Sequence, residues 1–282
     1  MPRAGDLRNT LGDRVLGPVL VGALNVTPDS FSDGGDFLDP DRAAARAATM
    51  LDEGAHVIDV GGESTRPGSD PVSPEEEARR AIPVIRSIVA DRADAIISID
   101  TYRAGTAEAA LEAGARVVND VTALRGDPRM AEVVAAARCP VVLMHMLGEP
   151  KTMQRDPRYD DVVREVRDFL AGRAEHAVAA GVEPENVILD PGIGFGKTLE
   201  HNLALLNHLD SIVELGFPVL VGASRKSFIG RITGVEEARD RVFGTVAANV
   251  IACERGATFF RVHDVRPNVE ALAVAWAILT AG

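Results

Sequence analysis

Residues 187–198 read VILDPGIGFGKT: a short apolar run delivers one carboxylate, Asp190, into a glycine-rich turn. The GKT ending invites comparison with a phosphate-cradling P-loop. That motif needs a glycine five residues before its Gly-Lys-Thr glycine, and Pro191 stands there instead. Gly192, Gly194 and Gly196 also lack the spacing of a dinucleotide-binding turn. What remains is a strand ending in a carboxylate and followed by a flexible loop, which is how a (β/α) barrel builds the rim of its active site.

Working outward, the same unit recurs. Apolar runs at 19–25 (VLVGALN), 56–61 (HVIDVG), 96–100 (IISID), 117–120 (VVND), 141–145 (VVLMH), 218–223 (PVLVGA) and 258–263 (TFFRVH) join 186–190 as strands covered on both faces. Helix signals follow them. Asp39 and Pro40 supply an N-cap and a first-turn proline, and Ser73 and Glu76 have capping-box spacing. Further helices are predicted over 104–113, after Pro128, and over 160–180, 202–215, 239–255 and 266–279. Eight strand-then-helix units argue for a single α/β domain, a closed (β/α)8 TIM barrel with its active site at the C-terminal ends of the strands. An open doubly wound sheet would rarely need eight such units, and no dinucleotide fingerprint follows the first strand. The chain divides into an N-terminal lead-in, 1–17, and the barrel domain, 18–282.

Composition narrows the function. The 282 residues suit a barrel, which typically takes about 250. No apolar run approaches the roughly 18 residues of a membrane span, and the first residues lack the apolar core of a signal peptide, so a cytoplasmic protein without a membrane partner is expected. Cys139 and Cys253 have neither CxxC nor zinc spacing and read as buried thiols. A net charge of −12 argues against a nucleic-acid surface, so basic residues serving an anionic ligand must be locally concentrated.

The strand ends supply that concentration. Asn25, Asp59, Asp100, Asn119, His145 and Asp190 end successive runs, a ring of acceptors and donors suited to a flat, nitrogen-rich heterocycle. Arg225 and Lys226 follow strand seven; Arg261 and His263 lie at the end of strand eight. Barrels commonly bind phosphate at these positions, and a phosphorylated or diphosphorylated ligand explains the clusters better than surface salt bridges do. The loops TPDSFSDGG and GESTRPG, after strands one and two, have the length and polarity of a lid. Without HExxH or an EF-hand loop, a protein-caged metal is not expected, whereas Mg²⁺ shared with a ligand's phosphates remains open, with Asn25 a candidate.

Taken together, LNVTPDSFSDGG, DVGGESTRPG, SIDT, VND, LMHM, LDPGIGFGKT, GASRKSFIG and RVHDV, in this order and spacing, closely resemble the dihydropteroate synthase family, from about residue 18 to the C-terminus. The resemblance implies a transferase of folate biosynthesis and a sulfonamide target. Such an enzyme condenses 6-hydroxymethyl-7,8-dihydropterin diphosphate with 4-aminobenzoate, with Mg²⁺, and is usually a homodimer through its barrel helices. By motif, Asp100, Asn119 and Asp190 hold the pterin, Met144 packs near it, Thr65 contacts it, and Lys226 binds its carbonyl and ring nitrogen. Asn25 holds Mg²⁺ on the diphosphate, which Arg261 and His263 anchor. Asp33, with Phe31, Arg66 and Pro67, helps form the aminobenzoate pocket, and Ser227 takes that ligand's carboxylate. Asp33, Lys226, Arg261 and His263 are the expected catalytic residues. Two rivals share the pterin-reading pattern: a catalytically silent pterin-binding paralogue, and a pterin-dependent methyltransferase module, which should lack the SRK and TPDSFSDGG elements.

Overall fold

The computed structural model describes residues 17–27, 40–64 and 68–281. Strands β1 (Val19–Asn25), β2 (Val57–Gly61), β3 (Ile96–Asp100), β4 (Val117–Asp120), β5 (Val141–Met144), β6 (Val187–Asp190), β7 (Leu220–Val221) and β8 (Phe259–Val262) form one parallel sheet in the order β6-β5-β4-β3-β2-β1-β8-β7. Its two end strands meet. Leu189 bridges Val219 in parallel, and its N–H donates to the Pro218 carbonyl at 2.9 Å, so the sheet closes into a barrel.

Ten α-helices lie among the described residues: α1 (Pro40–Asp52), α2 (Pro74–Asp91), α3 (Ala104–Glu112), α4 (Met130–Ala137), α5 (Val162–Ala179), α6 (Leu199–Asn207), α7 (Asp210–Val213), α8 (Ser227–Thr233), α9 (Val242–Glu254) and α10 (Val265–Leu279). Two expected features of helix starts hold: the Ser73 hydroxyl accepts from the Glu76 N–H at 3.2 Å, and Pro40 opens α1, while the expected N-cap Asp39 lies outside the described residues. Glu76 does not complete a reciprocal box, because its carboxylate is taken by Arg79 and Arg80. The single helix expected over 202–215 is two, α6 and α7. Strand seven is shorter than expected, since beyond Val221 the chain leaves the sheet for a turn in which Lys226 donates to the Ala223 carbonyl and Arg225 takes φ 60°.

Successive residues of each strand alternate between the helices and the barrel interior. Leu20, Leu24, Ile58, Val60, Ile97, Ile99, Val118, Leu143, Leu189 and Phe260 face the helices within one large apolar cluster. Val19, Val21, Val57, Val142, Ile188, Leu220 and Phe259 form a second cluster that plugs the barrel. Above the plug the interior turns polar, and the site begins there.

Candidate active site

Strand register decides which rim residues meet. Asn25 pairs with Gly61, Gly61 with Asp100, and Asp100 with Asn119, so these four occupy one row across β1–β4. Across the barrel Met144 pairs with Asp190. These residues, except Gly61, line a cavity of about 480 Å³ at the C-terminal mouth together with Lys226, Ser227, Arg261 and His263. The structure thus brings together Asn25, Asp100, Asn119, Met144, Asp190, Lys226, Ser227, Arg261 and His263. Phe31, Asp33, Thr65, Arg66 and Pro67 lie outside the described residues.

Arg261 rises from β8 and forks across two carboxylates, donating from Nε to Asp59 (2.6 Å) and from Nη2 to Asp100 (3.0 Å). Burial works against its charge, but Asp59 and Asp100 outweigh it and hold the guanidinium pKa above the ordinary arginine value. Burial raises the carboxyl of Asp100, and Arg261 opposes that rise. On the same oxygen that receives Arg261, Asp59 accepts from the Asn119 amide at 3.1 Å. His263 is fixed from the side: its backbone N–H donates to the Ser224 hydroxyl at 3.1 Å, and its Nδ1 lies 3.0 Å from the same oxygen.

The opposite wall is built on the glycine-rich loop after β6. Gly192 has φ 66°, and a Cβ there would stand 1.9 Å from the His145 carbonyl, so only glycine lets the loop pass so close. Its N–H donates to Asp190 Oδ1 at 2.7 Å. Burial raises the Asp190 carboxyl, while this N–H, Lys226 and Lys197 pull the other way. A Cβ at Gly194 would come within 2.8 Å of the Lys226 side chain, whose ammonium bonds the Ile193 carbonyl and lies 4.1 Å from the Phe195 ring centroid. Burial lowers Lys226 to about 7, against the attraction of Asp190.

Three placements depart from the sequence reading. Asp59, read as part of the ring, is fully buried and does not line the cavity. His145 ends the fifth run but does not line the cavity. It sits behind the rim, edge-on to Phe169 with centroids 4.8 Å apart and with Nδ1 2.9 Å from Lys197 Nζ; Met144, one residue earlier, faces in. Arg225, grouped with Lys226 by sequence, lines the cavity but is bound through Nε and Nη2 to Asp264 at 2.9 and 2.5 Å, and its carbonyl accepts from Arg241. No sequence signal marks Lys197, in the glycine-rich loop after β6. It is buried, bonded to His145 and to the Phe195 carbonyl, and burial lowers it to about 7. Two apolar walls, Phe195 and Met153, also escaped the sequence reading; no strand signal marks either one.

The cavity therefore offers two carboxylates and an amide, an arginine and a histidine at one side, and an apolar lining that includes Met144, Val121 and Met153. That arrangement suits a flat polar ring with an attached anion.

Comparison with known proteins agrees. The family model for pterin binding enzymes matches residues 21–263. The dihydropteroate synthase of Mycobacterium leprae is 49% identical over 95% of this chain and 96% of its own. The Xanthomonas albilineans dihydropteroate synthase solved with 4-aminobenzoic acid superposes with a TM-score of 0.89 at 47% identity, covering 94% of each chain. A structure of the enzyme from that organism in complex with 7,8-dihydropteroate gives 0.85 at 44% identity, over 94% of this chain and 95% of that one.

Proposed function

The chain belongs to the dihydropteroate synthase family, and we propose that it joins 6-hydroxymethyl-7,8-dihydropterin diphosphate to 4-aminobenzoate, giving 7,8-dihydropteroate and diphosphate. The observation that carries this reading is the convergence of Asp100, Asn119, Asp190 and Lys226 with Arg261 and His263 on one cavity at the barrel mouth. The first four bind the pterin ring. Arg261 and His263 receive the diphosphate, whose departure breaks the bond between the pterin methylene carbon and oxygen.

Because 4-aminobenzoate is a weak nucleophile, the residues act mainly on departure. The carboxylates beneath the ring tolerate positive charge growing on the methylene, and Arg261 offsets the charge on the leaving group. The aniline nitrogen then bonds the methylene carbon and sheds one proton; the anilinium formed is acidic enough to need no dedicated base. Ser227, the first residue of α8, stands where the aminobenzoate carboxylate would reach a helix start. The parts assigned to Phe31, Asp33, Thr65, Arg66 and Pro67 rest on the resemblance alone.

Mg²⁺ fits the oxygen donors present. Among the described residues no group of three or more His, Cys, Asp or Glu side chains would cage a metal, and Mg²⁺ commonly completes its sphere with a ligand's phosphates and water. A Cβ at Gly61 would stand 3.6 Å from both Asn25 Oδ1 and Asp100 Oδ2, so the missing side chain keeps space open beside two oxygens. Asn25 would hold the ion, which when bound supplies charge neutralisation on the diphosphate.

We also propose a homodimer through α9 and α10, whose Phe243, Ile251, Val274 and Ile278 are exposed, Phe243 at 89%. Such large apolar groups on adjacent helices are costly in water unless covered. No described helix is long and apolar enough to cross a membrane. Both cysteines are free and buried, in keeping with the proposed cytoplasmic setting.

The test is diphosphate release from pterin diphosphate in the presence of Mg²⁺. Release that depends on 4-aminobenzoate supports the synthase. Pterin binding without release would make the chain a silent pterin binder and overturn it.

A further inference from the structure

We infer that Asp59 is a positioning residue for the pterin diphosphate, setting Arg261 and Asn119 against one another through a single carboxylate oxygen. The inference rests on the synthase reading of the cavity. Asp59 belongs to β2, paired with Ala23 and Ser98, one level below the row of Asn25, Asp100 and Asn119. It is fully buried and absent from the walls of the large cavity, so it acts through other side chains.

Its Oδ2 receives Arg261 Nε at 2.6 Å and Asn119 Nδ2 at 3.1 Å. An ionised carboxylate only accepts hydrogen bonds. Asn119 must therefore turn its NH₂ toward Asp59, which leaves its carbonyl oxygen for the ligand. An asparagine without such a partner presents either end. Arg261 is caught at two points, Nε on Asp59 and Nη2 on Asp100, which fixes the plane of the guanidinium, while Nη1 takes no part in either bond. One buried charge thus sets the orientation of a group for the ring and of a group for the anion.

The carboxylate is only half satisfied by its partners. Asp59 Oδ1 is buried without a hydrogen-bond partner, beside a cavity of about 20 Å³ that Asp59 shares with Ser98. Orphaned buried oxygens are unfavourable, and neutralising Asp59 alone also costs stability, because it takes one of two carboxylate partners from the part-buried Arg261 and leaves it Asp100. A positioning role is therefore read from ligand affinity and kinetics, with the midpoint as the control for folding.

The experiment compares the full chain with Asp59→Asn, of the same shape, and with Asp59→Ser should the first fold poorly. It measures kcat, both KM values, the affinity for 6-hydroxymethylpterin and the thermal midpoint. We expect pterin affinity about tenfold weaker, through loss of a charged hydrogen bond. We expect kcat/KM for the pterin diphosphate to fall about 10²-fold, as for a misplaced group. The KM for 4-aminobenzoate stays within about twofold, and the midpoint falls only modestly, since Arg261 keeps Asp100 as its counter-charge. A folded Asp59→Asn with wild-type pterin affinity and kcat/KM overturns the inference, as does a lowered midpoint with every parameter lost in parallel. If the wild-type chain releases no diphosphate, the synthase reading fails. The comparison of 6-hydroxymethylpterin affinities still decides the role of Asp59: weaker binding by the variant supports it and equal binding overturns it.

Discussion

Two walls of one cavity hold carboxylates by different means. On the β2–β3–β8 side, Asp59 and Asp100 grip a guanidinium at 2.6 and 3.0 Å. On the β6–β7 side, Asp190 accepts a backbone N–H, and two lysines act on it through space, both lowered to about 7 by burial. An arginine keeps its charge at any working pH and a planar fork keeps its geometry, whereas a buried lysine on a flexible stem readily changes both. One wall is therefore assembled before ligand arrives. The other carries lysines whose charge changes near neutral pH.

The comparison breaks first at Asp190. If the β6 wall recognises the ring through this carboxylate, Asp190→Ala strands Lys226 and Lys197 without their counter-charge, and pterin affinity falls by about 10²–10³-fold, the cost of removing one partner from a buried charged set. Titration with 6-hydroxymethylpterin checks it; near-normal affinity would leave the β6 wall without a role. On the other wall, Arg261→Lys keeps the charge and loses the fork. Diphosphate release slows by about 10²-fold in kcat, similar to loss of one transition-state donor. Full activity in that variant would mean that charge alone, and not a preformed geometry, is what the β8 wall contributes.

The same contrast explains what the sequence revealed. Barrel strands are covered on both faces and carry no polar alternation, so eight apolar runs announce the fold but not which residue of each run points inward. Asn119 and Asp120 end the same run. Asn119 faces the cavity, while Asp120 accepts from the Thr122 and Leu124 N–H groups and shapes the loop. Met144 and His145 part in the same way. Register settles both pairs, and register is a property of neighbouring strands that no single run contains. Residues whose chemistry is explicit in a motif, Asp190 and Arg261 among them, were legible. Lys197 was not, because a lysine in a glycine-rich turn reads as solvated until the Phe195 carbonyl and His145 are seen around it.

The pH dependence of binding sharpens the comparison further. With Lys226 near 7 in the free protein, its cation is lost as pH rises through neutrality. If the ring needs that cation, affinity for 6-hydroxymethylpterin falls by about tenfold for each unit above pH 8, the slope for one required proton. Lys226→Met should flatten this limb at a weaker overall affinity. An unchanged limb in the variant would move the titration to another group.

The smallest effect separates Lys197 from Lys226, because Lys197 takes no place in the cavity wall. Its pKa is about 7 in the fold against 10.5 for an ordinary lysine. Below pH 7 both folded and unfolded chains carry the proton, so the cost of burying the charge is present in full. Between 7 and 10.5 the unfolded chain binds the proton and the folded chain does not, and stability must rise with pH. His145 adds a limb of the same sign lower down: burial holds it near 3 against 6.5, so stability is lost as pH falls from 6.5 toward 3. Lys197→Met should remove about 1–2 kcal/mol of the gain between pH 7 and 8.5, measured by urea unfolding, and leave the acid limb in place. Its effect at one fixed pH is harder to read, since methionine also withdraws the donor facing His145 Nδ1. The slope isolates the proton. A variant that keeps the full slope would place the neutral-range titration on Lys226, and the adjustable wall would then owe its charge state to a single lysine.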